Sequence, residues 1–225
     1  MPDLRLVIFD VDGTLVDSQA EIAAAMGYAF AEQGLPPLPH SAVVSIVGLS
    51  LPEAMLRLVP DLPQDVRDAL VEGYKRAYMS RRQEIGAAAG SPLFPGAAQA
   101  LTTLSADPFT LLAVATGKSR RGLDKLIEGH GWQGLFVSQQ VADFHPSKPH
   151  PSMILAALAE TGVSPDRAVM VGDTSYDMDM ARAAGIKSVA VAWGYHPVET
   201  LTADATVQSF ADLPAVIDTL LEPSE

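Results

Sequence analysis

The chain has 225 residues, 48% of them hydrophobic, which is enough for one or two domains with a sizeable core and too much for wholesale disorder. It has no cysteine, so disulfides, thiolate metal sites and a cysteine nucleophile are excluded. A formal net charge of −12 repels polyanions, so no nucleic acid partner is expected.

The start, MPDLRLVIFD, lacks the three regions of a secretory signal. No apolar run reaches the roughly 18 residues of a membrane span, so no membrane partner is expected either. Together with the lack of cysteine, this fits a cytoplasmic protein. LRLVIFD (4–10) is a short, continuous apolar run, the mark of a strand buried on both faces. DGTLVDS follows as a turn. SQAEIAAAMGYAFAEQG (18–34) reads as a helix. Ser18 and Glu21 match a capping box there. Ile22, Ala25, Met26, Ala29 and Phe30 form one apolar stripe at helical spacing. From 40 to about 85 the pattern stays helical and shows no convincing strand. AAAGSPLFPGA (87–97) reads as a connection of small residues and prolines.

Beyond it, strands and helices alternate. TLLAVAT (110–116), AVMVGD (168–173) and SVAVAW (188–193) read as strands, LFVSQQ (135–140) as a possible one, and ATVQS (205–209) as a short last one. Helices are expected at 119–131, 151–162, 175–185 and near the end. Such alternation implies an α/β fold: a Rossmann-like parallel sheet with helices on both faces. The first strand must join a sheet whose other strands begin near 110. The helical block is therefore read as an inserted, small all-helical domain at 17–87, within a discontinuous core of 1–16 and 88–225.

In such sheets ligands bind beyond the carboxyl ends of the strands. The residues there are Asp10, Asp12, Gly13 and Thr14; Thr116, Gly117 and Lys118; and Gly172, Asp173 and Thr174. Taken in order, DVDGTLVDS from Asp10, TGK from Thr116, KPHP from Lys148 and GDTSYD from Gly172 resemble the haloacid dehalogenase-like hydrolase superfamily. The helical insertion resembles the small cap of its phosphoglycolate phosphatase and β-phosphoglucomutase branch, and the resemblance covers nearly the whole chain.

That resemblance implies a phosphatase acting on a small phosphorylated metabolite, such as phosphoglycolate or a sugar phosphate. A small phosphate ester escapes the charge argument, because a metal and a local lysine outweigh the global charge at short range. Asp10 would be the nucleophile that takes the phosphoryl group. Mg²⁺, a hard cation, would be held by Asp10, Asp173 and the backbone carbonyl of Asp12, with Asp177 binding it directly or through water. Asp12 would move protons as general acid and base. Lys148 and Thr116 would hold the phosphoryl oxygens, with backbone N–H groups near Gly13 and Gly117. Relatives often carry Asn where this chain has Gly117, which implies a change in the residues behind the site or in a substrate contact, not lost phosphatase chemistry. Gly48, Leu49 and Ser50 match the loop by which related caps approach the site.

Other readings compete. TGKS matches the end of a nucleotide-binding phosphate loop, but position 112 is Leu where that loop needs Gly. Asp17 and Ser18 read as helix cap and hinge, and His145, His150 and His196 as loop histidines. A phosphomutase shares every core motif and differs in its cap. A dehalogenase lacks the second Asp. A non-catalytic binding protein would not need all four motifs. Oligomeric state is not written in any feature of the chain.

Overall fold

The computed structural model describes residues 4–222. Its strands are β1 (Arg5–Phe9), β2 (Thr110–Thr116), β3 (Ser138–Val141), β4 (Ala168–Gly172), β5 (Lys187–Val191) and β6 (Ala205–Val207). They form one six-stranded sheet in the order β3-β2-β1-β4-β5-β6, with every pairing parallel. The chain winds outward from β1 in one direction through β2 and β3, and in the other through β4, β5 and β6. The reversal falls between β1 and β4, so the crevice at their carboxyl ends is the expected ligand site.

Strand side chains alternate between two cores. Val7, Phe9, Val114, Val171 and Val189 face one layer; Leu6, Ile8, Ala115 and Met170 face the other. That double burial is why β1 is apolar at consecutive positions. In register, Phe9 lies beside Val114 and Val171, and the next residue, Asp10, donates its N–H to the Val171 carbonyl at 2.9 Å. The end of β1 is thus fixed from both sides.

Between β1 and β2 lie α1 (Gln19–Glu32), α2 (His40–Val44), α3 (Leu51–Leu58), α4 (Gln64–Ile85), α5 (Ala87–Gly90) and α6 (Ala97–Ser105). The rest of the sheet is linked by α7 (Arg120–His130), α8 (Ser152–Thr161) and α9 (Ser175–Ala184), with α10 (Leu213–Leu220) closing the chain. The predicted stripe of α1 is buried and packs on α4; with Val43, Ile46, Met55 and Leu70 it makes a third apolar cluster. The two crossings into this helical layer run side by side: Asp17 N–H donates to the Pro92 carbonyl at 2.8 Å and Phe94 N–H to the Leu15 carbonyl at 3.0 Å.

Three local readings shift. The possible strand over 135–140 forms at Ser138–Val141, because Phe136 turns in to pack edge-on against Trp132. Helix α6 was not singled out in the sequence; Ala97, Ala100, Leu101 and Leu104 give it a buried face. Ser18 and Glu21 do not form a capping box. The Ser18 hydroxyl donates to the Asp12 carboxylate instead, and Glu21 forms a two-pronged pair with Arg81 at 2.9 and 3.0 Å. Charge-assisted bonds of this kind outcompete a neutral backbone donor or acceptor.

Candidate active site

The turn after β1 is one tight helical turn, in which the Leu15 and Val16 N–H groups both return to the Val11 carbonyl. It carries Gly13 at φ 83°, a left-handed conformation that favours glycine, and a Cβ there would lie 2.2 Å from Asp173 Oδ2. Gly13 therefore lets the β1 turn meet the β4 end. Its N–H is engaged by the Val16 carbonyl at 2.9 Å, so what Gly13 offers the site here is space.

Three carboxylates converge in that space. Asp10, Asp173 and Asp177 are all buried, and one oxygen from each lies within 4.8 Å of the others. Asp173 is oriented by Thr14 Oγ1 at 2.8 Å and the Tyr195 N–H at 2.9 Å. Asp177 is fixed at the start of α9 by a capping box with Thr174, whose hydroxyl donates to it at 2.7 Å. Asp10 Oδ1 accepts from the Val11 N–H at 2.7 Å. Lys148 enters the same pocket, with Nζ 2.6 Å from Asp177 Oδ1 and 3.0 Å from Asp10 Oδ2. The contact with Asp10 is an ion pair outside hydrogen-bonding angles, so among the described residues Asp10 Oδ2 is buried with no hydrogen-bond donor.

One ammonium does not balance three buried carboxylates. Burial pushes Asp10 up to about 7; Asp177 and Asp12 add to the rise and Lys148 opposes it. Burial also holds Asp173 well above the usual carboxylate range, with the Asp177 and Asp10 charges adding to it. Lys148 moves the other way: burial alone would lower it, but Asp10 and Asp177 hold it above its ordinary value. Uncompensated charge, a donorless buried oxygen and an all-oxygen donor set fit a hard divalent cation.

Asp12 faces elsewhere. Lys118 Nζ donates to both of its oxygens at 2.6 Å, and Ser18 donates to Oδ1. Burial would raise this carboxyl, but Lys118 more than offsets it and the pKa lies below the usual value. The Asp12 carboxylate is therefore not one of the three-acid group. Thr116, at the end of β2, is buried, and its hydroxyl oxygen accepts from the Lys118 N–H at 3.2 Å, leaving the hydroxyl proton to donate.

A cleft of about 1330 Å³ lies between these residues and the helical layer; Asp10, Asp12, Thr116 and Lys118 line it from the sheet, Tyr78 and Arg82 from α4. Gly48, Leu49 and Ser50 also line it, where the helical layer rests on the sheet loops. The Ser50 N–H donates to Ser147 Oγ at 2.8 Å, which ties this loop to the sheet side. A Cβ on Gly117 would lie 2.5 Å from the Gly48 carbonyl oxygen and 2.6 Å from that of Leu49. Glycine at 117 thus lets the loop seat directly on the β2 end, where no side chain fits.

The structure brings together Asp10, Asp173, Asp177 and Lys148 in one pocket, with Asp12 and Thr116 beside the cleft. Sequence reading missed the Lys118–Asp12 pair, Ser18 as an Asp12 partner, and Tyr78; it named Arg82 only as one of five basic residues of the helical block, with Arg57, Lys75, Arg76 and Arg81, and did not single it out. The adjacency of Lys118 to Thr116 at a strand end was the one available signal. A family model described as haloacid dehalogenase-like hydrolase matches residues 7–191. The chain is 34% identical to the probable phosphatase IndB of Dickeya dadantii, over 97% of this chain and 96% of that one. It is 35% identical to a phosphoglycolate phosphatase of Caulobacter vibrioides, over 96% of this chain and 91% of that one. Among solved structures, a predicted phosphoglycolate phosphatase from Haemophilus somnus superposes with a TM-score of 0.84 at 25% identity, covering 96% of this chain and 99% of that one.

Proposed function

The chain belongs to the haloacid dehalogenase-like hydrolase family, and from that premise we propose that it is a Mg²⁺-dependent phosphatase. It releases phosphate from a small phosphorylated metabolite, phosphoglycolate-like or a sugar phosphate, through an aspartyl-phosphate on Asp10. The observation that carries this reading is the buried pocket in which Asp10, Asp173 and Asp177 share the single ammonium of Lys148.

The residues divide the work. An Asp10 carboxylate oxygen attacks phosphorus and the bond to the leaving oxygen breaks. Lys148 neutralises charge on the transferring group, and the Thr116 hydroxyl donates to one of its oxygens. Asp12 supplies the proton that the leaving alkoxide takes. It later removes one from the water that attacks the aspartyl-phosphate, which frees phosphate and restores Asp10. Lys118 favours the ionised form of Asp12, which serves the second step; the first step draws on its protonated form, which the proton taken from water in the second step regenerates. Asp10, Asp173 and Asp177 would hold Mg²⁺, and that ion when bound supplies charge to offset repulsion between carboxylate and phosphate.

The helical layer, 17–87, acts as a cap that shuts the cleft against water. Because Gly117 seats the 48–50 loop, Gly117→Asn is expected to hold the cap off the sheet and lower kcat/KM roughly 10- to 100-fold. Steady-state kinetics check the loss, and faster proteolysis at the paired crossings near Asp17 and Pro92 checks its cause. A variant as active and as resistant as the parent would show that the loop yields at no cost.

A phosphate-release screen across small phosphate esters tests the main reading, run with Mg²⁺ and with chelator. Release with Mg²⁺ and its loss in chelator are expected. No release from any ester by folded protein would overturn the reading, and isomer in place of free phosphate would make the enzyme a mutase.

A further inference from the structure

Tyr195 joins parts of the site that lie far apart in the chain. It sits in the loop after β5, and its neighbours in that loop hold the site from behind. Trp193 Nε1 donates to the Thr14 carbonyl at 3.0 Å, and the Trp193 ring centre lies 4.4 Å from that of Phe210. A Cβ on Gly194 would lie 2.0 Å from Asp173 Cβ, so the loop crosses that acid where no side chain fits. The Tyr195 N–H then donates to Asp173 Oδ2 at 2.9 Å. The loop is thus anchored to the β1 turn and to the β4 end before the Tyr195 side chain leaves it.

That side chain reaches the start of the helical layer, and its ring packs against the apolar cluster there. The phenol oxygen accepts from the Ser18 N–H at 2.8 Å, and its one proton goes to Asp17 Oδ1 at 3.2 Å. Ser18 Oγ lies 3.4 Å from the same oxygen. Asp17 in turn donates its N–H to the Pro92 carbonyl. One phenol therefore fixes both residues through which the chain enters α1. Its donor and its acceptor are both used on protein groups, and the described cleft lining does not include it. Tyr195 acts on the reaction through its neighbours.

The neighbour that matters is Ser18. Its side chain is buried, does not cap α1, and gives its only hydroxyl proton to Asp12 Oδ1. A carboxyl oxygen that already accepts from a hydroxyl is a poor place for a proton. With Oδ1 so engaged, the proton that Asp12 passes to the leaving oxygen is carried by Oδ2. Where the Ser18 hydroxyl points depends on where the Ser18 backbone is held, and the phenol of Tyr195 holds it.

We propose that Tyr195 is a positioning residue for proton transfer: by holding the Ser18 backbone against the anchored β5 loop, it aims the Ser18 hydroxyl at Asp12 Oδ1 and leaves Oδ2 to deliver the proton. The assignment rests on the phosphatase reading above and deepens it.

The test compares an ester that needs this proton with one that does not. Phosphoglycolate, or the alkyl phosphate released fastest in the screen, departs as an alkoxide and needs it. Para-nitrophenyl phosphate departs as a stable phenolate and does not. We measure kcat/KM for both on the parent, Tyr195→Phe, Ser18→Ala and the double variant. Tyr195→Phe keeps the ring and the backbone N–H and removes one oxygen. It is expected to lower kcat/KM about tenfold for the alkyl ester and less than about threefold for the aryl ester, since misplacing a proton donor penalises only the step that uses it. Ser18→Ala should show the same split. The double variant should fall no further than either single one, because both act by one route; independent effects would multiply to about 100-fold. Mg²⁺ should raise the melting temperature of Tyr195→Phe as much as that of the parent, since the N–H that holds Asp173 is retained. A merely structural role would depress both esters alike. That result, or multiplied losses in the double variant, overturns the proposal and leaves the phosphatase reading intact. A lost Mg²⁺ shift also overturns it, by placing the effect in the three-acid pocket. No release from any ester of the screen overturns the reading itself. Should the double variant fail to fold, the two ester rates of Tyr195→Phe decide.

Discussion

Asp10→Asn is expected to lose phosphate release by about 10⁴-fold or more, as for other residues on which covalent chemistry depends, while the metal-free protein becomes more stable. The amide keeps the shape of the carboxylate but cannot form the acyl phosphate. The gain in stability follows from the charge ledger of the pocket. Asp10 has its pKa raised from 3.8 to about 7, first by burial. A group raised in this way contributes stability that is fully present below its unfolded value and lost as pH rises through the folded one. Without metal at pH 8, the parent therefore carries the whole cost of a buried, ionised Asp10. A rise from 3.8 to about 7 corresponds to a few kcal/mol, at about 1.4 kcal/mol for each tenfold change in proton affinity. Asparagine removes that cost.

Thermal melts in chelator should show the variant ahead of the parent at pH 8, with the gap closing toward pH 5. Adding Mg²⁺ should raise the parent's melting temperature more at pH 8 than at pH 6, because the ligands must give up protons to bind it. Retained activity would sink the covalent mechanism. An unchanged melting temperature at pH 8 would show that Asp10 is not a burden in the folded state.

Lys148→Met should act on the same pocket with the opposite sign. The ammonium is buried between Asp10 at 3.0 Å and Asp177 at 2.6 Å, and a thioether of similar length leaves three carboxylates with no cation. Breaking a buried ion pair from one side costs about 3–5 kcal/mol. The loss of charge on the transferring phosphoryl group should lower kcat by roughly 10²–10³-fold. The signature is a split: Mg²⁺ should recover more stability in this variant than in the parent without recovering activity. Urea denaturation with and without Mg²⁺, beside kcat, reads both halves. Activity restored by Mg²⁺ alone would reduce Lys148 to a counter-charge with no part in the transfer.

These two outcomes concern residues that stand out in the one-dimensional chain. Asp10 follows a continuous apolar run, Asp173 ends another, and Asp177 sits where the next helix begins. A strand buried on both faces must be apolar at every position, so polar residues can appear only where it ends, and in a parallel sheet the carboxyl ends share one edge. The sheet, the inserted helical layer and the three-acid pocket were legible for that reason. Helix α6 was legible by periodicity too, since Ala97, Ala100, Leu101 and Leu104 fall at i, i+3, i+4 and i+7, but it lies next to the proline-rich connection and is only 9 residues long.

The other half of the site depended on the tertiary structure. Lys118 and Asp12 are 106 positions apart and meet only because β1 and β2 pair in a particular register. Ser18 resembles a helix cap until an ionised carboxylate is brought beside it. Gly117 reads as a missing side chain; in three dimensions it is the gap that two carbonyl oxygens of the helical layer fill. Arg82 is one of several basic residues on α4, and only its position over Tyr78, with bonds to Gly122 and Ser91, separates it from the rest. The sequence by itself determined which strands end in acids, since periodicity and burial are local rules. Which cation answers which acid, and how closely the helical layer sits on the sheet, are matters of long-range register and close packing, and those exist only once the chain has folded.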